Sequence, residues 1–223
     1  MSPDMLIERF RAYVGDTQEP YLWDEEDLYI AMDQAQKEFA RRTDCFAQEF
    51  EVPVYAGEAY VQLPNTLTKV RSVRGRRSGP LTVTTVDKLD AEGVSSNDYG
   101  ASHAFDWRSL EGDVSHFVLD AEHGKARLVG VPRQNDDLFI SAYRLPCTDI
   151  TGPDSVFEIK QPADIMALRF WMAFLMFEYN DVDGYDPEAS ARNLVRFEHH
   201  VSREAQAHRR RERKPGSIRY GGI

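Results

Sequence analysis

The chain opens with two stretches in which apolar residues recur every three or four positions. Leu6, Phe10 and Tyr13 fall on one side of a first segment that starts at Ser2-Pro3-Asp4 and stops at Gly15. A proline in the first turn and an acid near the positive end of the dipole both suit a helix start. A second segment opens at Asp24 after Trp23 and carries Glu25, Glu26 and Asp27 in its first turn. It aligns Leu28, Ala31, Met32, Ala35 and Phe39 before Arg41 and Arg42 close it. This spacing predicts two amphipathic helices. From Cys45 the period falls to two. Phe50, Val52 and Val54 alternate with Glu51 and Pro53, and Ala59, Val61 and Leu63 follow a turn at Ala56-Gly57-Glu58. Such alternation predicts half-buried strands, and Pro53, which has no amide hydrogen to donate, assigns its strand to a sheet edge. Further strand-like runs lie at 69–74, 81–85, 115–119, 126–131 and 138–143, with turns at Glu122-His123-Gly124 and Asn135-Asp136-Asp137. The polar stretch from Asp87 to Leu110 reads as a short helix followed by a loop.

The helical period returns at Pro162. Ile165, Met166, Leu168, Phe170, Trp171, Phe174, Leu175 and Phe177 are apolar nearly all round. That predicts a buried central helix, with Trp171, Phe174 and Leu175 packed against Leu28, Phe39, Leu194 and Phe197. Asp186-Pro187-Glu188 opens the last helix, with Asp186 as N-cap and Pro187 in the first turn. Its stripe (Leu194, Phe197, Val201, Ala205) ends before its arginines do, so the helix is expected to outrun the body it packs on. The expected fold is α+β: a four-helix body (1–44 and 158–214, two helices from each end of the chain), an antiparallel β insertion (45–157) and an extended C-terminal tail (215–223).

Composition narrows the function. A chain of 223 residues that is 42% hydrophobic and 11% aromatic is globular. A formal net charge of -10 argues against general coating of nucleic acid, while leaving room for a local basic patch. Cys45 and Cys147 are far apart, and MSPDMLIERF shows neither a basic region nor an apolar run of the secretory kind, so two reduced thiols in a reducing cytosol are expected. The run from Ala163 to Phe177 contains Asp164 and Arg169 and is shorter than the ~20 residues that span a bilayer, so no membrane is expected as a partner. The nucleotide signatures GxxxxGK[ST] and GxGxxG are missing, as is the GxSxG elbow. Trp23 and Trp107 read as core or interface anchors. His199 and His200 are neighbours and point apart on a helix, with His208 two turns on. No i, i+4 histidine pair results, so the histidines read as surface residues and no metal is expected. In Asp181-Val182-Asp183-Gly184 the glycine comes too early for a calcium loop, and an ordinary helix–helix connection is expected. These readings nominate no enzyme and no cofactor.

The C-terminus is harder to reduce to packing. Arg203, Arg209, Arg210, Arg211, Arg213, Lys214 and Arg219 face only Glu204 and Glu212, a local charge of about +5. A solvated helix end or contact with DNA would account for the arginines. Neither accounts for Ser217-Ile218-Arg219-Tyr220-Gly221-Gly222-Ile223, which alternates apolar and polar residues and then permits close backbone approach. That string suits a strand added to another chain's sheet, or an anchor in its cleft, once Pro215-Gly216 has broken the helix.

Three stretches carry a resemblance to a known family. YLWDEEDLYIAMDQAQKEFARRTD, the following VPVYAGEAYVQLP and the closing GSIRYGGI are similar to head-to-tail adaptor (connector, head-completion) proteins of tailed bacteriophages. The resemblance implies a non-enzymatic structural protein of the virion, made in the host cytoplasm and placed at the head–tail junction. It implies a ring, usually of twelve copies, between the portal protein and a tail protein (nozzle or tube), with genomic DNA passing through transiently. Carried onto this chain, Ile218, Arg219, Tyr220 and Ile223 are the implied portal contacts, with Gly221 and Gly222 allowing close approach. Arg209, Arg210, Arg211 and Arg213 are expected to meet acidic portal surface. The competing expectation is a DNA-binding packaging or regulatory factor using the basic last helix, which steep, salt-dependent duplex binding would reveal. A hydrolase is the remaining rival, and would need a pocket of polar groups with perturbed pKa values.

Overall fold

The computed structural model describes residues 1–92, 107–178 and 184–212. The fold is α+β, and the chain divides into two compact units, residues 1–46 with 145–223 and residues 47–144.

The first unit holds α1 (Pro3–Val14), α2 (Glu25–Thr43), α4 (Pro162–Glu178) and α5 (Pro187–Glu212). The ends of α1 are set as its sequence requires. The Ser2 hydroxyl accepts the Met5 amide at 3.3 Å, and Gly15, at φ +86°, sends its own amide back to the Arg11 carbonyl at 2.9 Å. At the end of α2, Asp44 adopts the left-handed conformation (φ +55°) instead of a glycine. Leu6, Phe10, Leu28, Met32, Phe39, Leu168, Met172 and Phe197 share one core. Trp23 is buried in it, with its ring edge-on to Phe10 and to Phe177. Residues 145–161 run as a strap over α2. Ile150, Phe157 and Ile159 are buried in the same core, and the strap is tied by Ile150 N–H to Asp33, Glu158 N–H to Gln36 and Lys37 to Asp149. Both thiols are free, and burial pushes that of Cys45 above its ordinary pKa.

In one respect α4 departs from its pattern. Ile165, Ala167, Leu168, Met172, Ala173 and Met176 are buried, but Met166, Phe170, Trp171, Phe174, Leu175 and Phe177 are only half-buried, as is Leu194 opposite. Trp171 does lie beside Phe174 (4.9 Å between centroids) and Phe197 (5.1 Å). The physical reason is the kind of cover. On this side cationic side chains lie over the rings, with Arg42 over Trp171 and Phe197 and Arg169 over Phe170. Cations over aromatic faces cover apolar surface with their stems and planar heads.

The second unit is a seven-stranded sheet ordered β1-β7-β3-β4-β5-β6-β2. The strands are β1 (Ala47–Val54), β2 (Tyr60–Gln62), β3 (Leu67–Gly75), β4 (Gly79–Thr84), β5 (His116–Glu122), β6 (Lys125–Val129) and β7 (Asp136–Arg144). The strand with Pro53 is an edge, as a proline requires. The two edge strands, β1 and β2, are joined by a link no longer than ~20 Å between Val54 and Tyr60. A flat sheet of this order would hold them ~29 Å apart. The sheet must therefore curl, and β4 is where it turns, pairing with β3 through Leu81 and with β5 from Thr82 onward. All seven strands then contribute to one interior, with Val54, Val61, Val73, Leu81, Phe117, Leu128, Leu138 and Ile140 buried together.

One neighbouring pair corrects the antiparallel expectation: β4 and β5 run parallel. The long connection from Thr84 to His116 allows it, because parallel neighbours need a crossover that a tight turn cannot provide. The described residues of that crossover form α3 (Val86–Glu92) and a 3₁₀ turn, Trp107–Ser109. Leu89 and Trp107 cover Val118 and Val129, and the Trp107 indole donates to Asp90 at 2.7 Å. The turn expected at Asn135-Asp136-Asp137 is also shifted, since Asp136 already lies in β7. Its carboxylate instead organises the β3–β4 turn, accepting from the amides of Arg77 and Ser78 and from the Ser78 hydroxyl. Burial would raise its pKa, but these donors outweigh burial and hold it below the usual carboxylate range.

Candidate functional site

The candidate residues gather on α5, and the helix is built to hold them out. Asp186 caps it, accepting the Ala189 amide at 2.8 Å. Over the next turns α5 is fastened to its unit at several points. The Ser190 hydroxyl donates to the Phe174 carbonyl, Tyr13 donates to Asn193 at 2.6 Å, and Arg196 reaches the same Tyr13 hydroxyl. Phe197 and Val201 are buried, and Glu198 meets Arg42 at 3.4 Å. Beyond Val201 burial fades. Ala205, Ala207 and His208 are half-buried, while Arg209 and Arg210 are exposed. From Val201 to Arg210 the helix advances ~13 Å.

Of the residues nominated for portal binding, the structure places Arg209 and Arg210 on the exposed part of α5, with Arg211 further along the same helix. Arg213, Ile218, Arg219, Tyr220, Gly221, Gly222 and Ile223 lie outside the described residues, as do the Pro215-Gly216 break and Asp181 to Asp183.

The expectation of surface histidines needs correcting at His116, at His200 and at the half-buried His208. His116 is half-buried, and burial holds its pKa below the ordinary value. The His200 side chain is only 14% exposed, and its Nε2 lies 2.9 Å from Asp164 Oδ1 of α4. Glu204, one turn further along α5, brings a second carboxylate to the same place, with the ligand atoms of all three residues within 4.8 Å of one another. The signal in the sequence was the His200–Glu204 spacing of four, which a search for paired histidines passes over. The Tyr13–Asn193–Arg196 cluster left no comparable trace, since its members come from opposite ends of the chain.

α5 is thus fastened along half its length and carries a cationic end in solvent. The comparison with known families gives the specific answer. Residues 1–219 match the SU10 adaptor protein family, and the chain belongs to it. Membership gives it a structural adaptor role in a phage virion, implies dealings with portal and tail components in general, and suggests a non-enzymatic part. No curated protein sequence matches the chain. Among the described residues, no helix is long and apolar enough to cross a membrane.

Proposed function

We propose that this chain is the adaptor that joins a phage portal to the tail, and that α5 is its portal-facing arm. In this reading α1, α2, α4 and α5 form a four-helix body with the curled sheet as its insertion. The exposed end of α5 brings Arg209, Arg210 and Arg211 to acidic portal surface. The following tail (215–223) docks as an extended strand, with Ile218, Tyr220 and Ile223 in pockets and Gly221 and Gly222 against portal backbone. Several copies side by side make a closed ring, for which twelve is the expected number, and a tail protein binds the opposite side. The net charge of -10 suits a conduit wall, since a negative surface does not trap the phosphates of passing DNA.

The observation that carries the reading is the contrast along α5 itself: fastened up to Val201, cationic and exposed at Arg209 and Arg210, within a chain that belongs to an adaptor family. Electron microscopy of the protein mixed with portal is the test. Closed rings stacked on the portal are expected. Free adaptor beside bare portal, together with steep salt-dependent binding of duplex DNA by the isolated chain, would favour a packaging or regulatory DNA-binding factor instead.

A further inference from the structure

We propose that Asp164, His200 and Glu204 form a site for a divalent transition ion of the zinc class, which clamps α5 to the first turn of α4. The inference does not depend on the adaptor reading. His200 and Glu204 are four residues apart on α5, so their side chains share one face. Asp164 comes from the other helix, and the ligand atoms of the three lie within 4.8 Å of one another. The side chains are 11% (Asp164), 14% (His200) and 18% (Glu204) exposed.

Two carboxylates so close and so little hydrated repel one another unless positive charge sits between them. Among the described residues the arginine that reaches this cluster is Arg203, and it fits that task poorly. Its side chain is 63% exposed, it meets Glu204 at 3.5 Å, and its other contact here is to His200 Nδ1 at 3.4 Å. A metal ion does the task directly. One imidazole with two carboxylates is a nitrogen–oxygen set that suits zinc and its neighbours, whereas magnesium and calcium prefer oxygen alone. With ligands ~2.1 Å from the ion, tetrahedral neighbours stand ~3.4 Å apart. The 2.9 Å between His200 Nε2 and Asp164 Oδ1 needs only a small widening, and rotation of Glu204 closes the rest. Binding through Nε2 leaves the His200 proton on Nδ1, where it faces Arg203, so the guanidinium must swing out into solvent. Arg203 therefore competes with the ion.

Titration calorimetry of the full chain with zinc chloride tests this, with cobalt chloride as a spectroscopic probe of the same site. One ion per chain is expected, with a rise in melting temperature of roughly 5 °C at saturating zinc. His200→Gln and Glu204→Gln should each weaken zinc binding by roughly tenfold or more and alter the visible cobalt absorption. Glu204→Gln relieves the repulsion from Asp164 at the loss of one long ion pair to a mostly exposed arginine, so its metal-free melting temperature should not fall. Arg203→Ala should bind zinc as tightly or more tightly. The proposal is overturned by no saturable binding, by affinity unchanged in either ligand variant, or by loss of binding in Arg203→Ala. Any of these would make the cluster an ion-pair network only.

Discussion

In the helical unit each element carries its own half of the core. Phe10, Phe39, Leu168 and Phe197 are all fully buried, one from each of α1, α2, α4 and α5, and caps at both ends of α1, the end of α2 and the start of α5 act over a few residues. In the sheet unit only the β3–β4 and β5–β6 hairpins are local, and they place Phe117 opposite Leu128. That pair meets Leu138 and Ile140 only because strands distant in the chain pair in a curled order. The outer surfaces also differ. The half-buried aromatics of α4 are covered by Arg42 and Arg169, whereas Phe139 in β7 lies under Arg74 and Arg76, which reach across to Glu49 and Glu51 of β1. A helical body tolerates variation in what covers it; a curled sheet depends on register.

Deleting a core phenylalanine from each unit should have the largest effect. Phe197→Ala in the helices and Phe117→Ala in the sheet should each cost about 3–5 kcal/mol, because both rings are fully buried. Calorimetry should show each variant lowering its own transition. A single transition shifted equally by both would mean that the two units melt as one. Gly130→Ala comes next, and among the described glycines only the sheet unit contains its like. Gly130 sits at φ +85°, where a Cβ would lie 2.2 Å from the Asp113 carbonyl oxygen, so the loss should be about 3 kcal/mol by denaturant melting.

Trp171→Ala should cost less, about 2 kcal/mol, because the ring is half-buried and its outer face has arginine over it. A loss as large as that of Phe197→Ala would restore α4 to the fully buried helix its sequence pattern predicts. The smallest effect is alkaline. Tyr29 of α2 has its pKa pushed up to about 12, chiefly by burial and then by its 2.7 Å bond to Asp4. Since the folded value exceeds the ordinary 10.0, its contribution is complete below pH 10 and is lost as pH rises from there towards 12. The helical unit should therefore weaken in that window, and Tyr29→Phe should flatten the decline.

The elements were legible where their signals are local. Ser2, Gly15, Asp186 and Pro187 mark helix ends by capping chemistry, and Pro53 announces an edge strand without reference to any partner. The strands were readable from alternation, but their order was not, because pairing is a long-range property, and the parallel β4–β5 neighbours depend on a crossover with no periodic mark. The half-buried side of α4 left no mark in the sequence, because apolar spacing cannot report that a guanidinium will cover a ring. At the candidate site the arginine-rich end of α5 was plain in the sequence. Asp164 was not, since nothing in the order of residues says that it faces His200 from another helix.

In the proposed role the chain attaches to the portal through the end of α5 and its tail. The direct measurement is the affinity for portal of the full chain and of a variant ending at Pro215, at two salt concentrations. Truncation should abolish binding while leaving the melting temperature nearly unchanged, because a short apolar tip adds little to a core. Reversing the charge of Arg209, Arg210 and Arg211 in the full chain should weaken binding most at low salt. A truncated protein that joins the portal with undiminished affinity would contradict the claim.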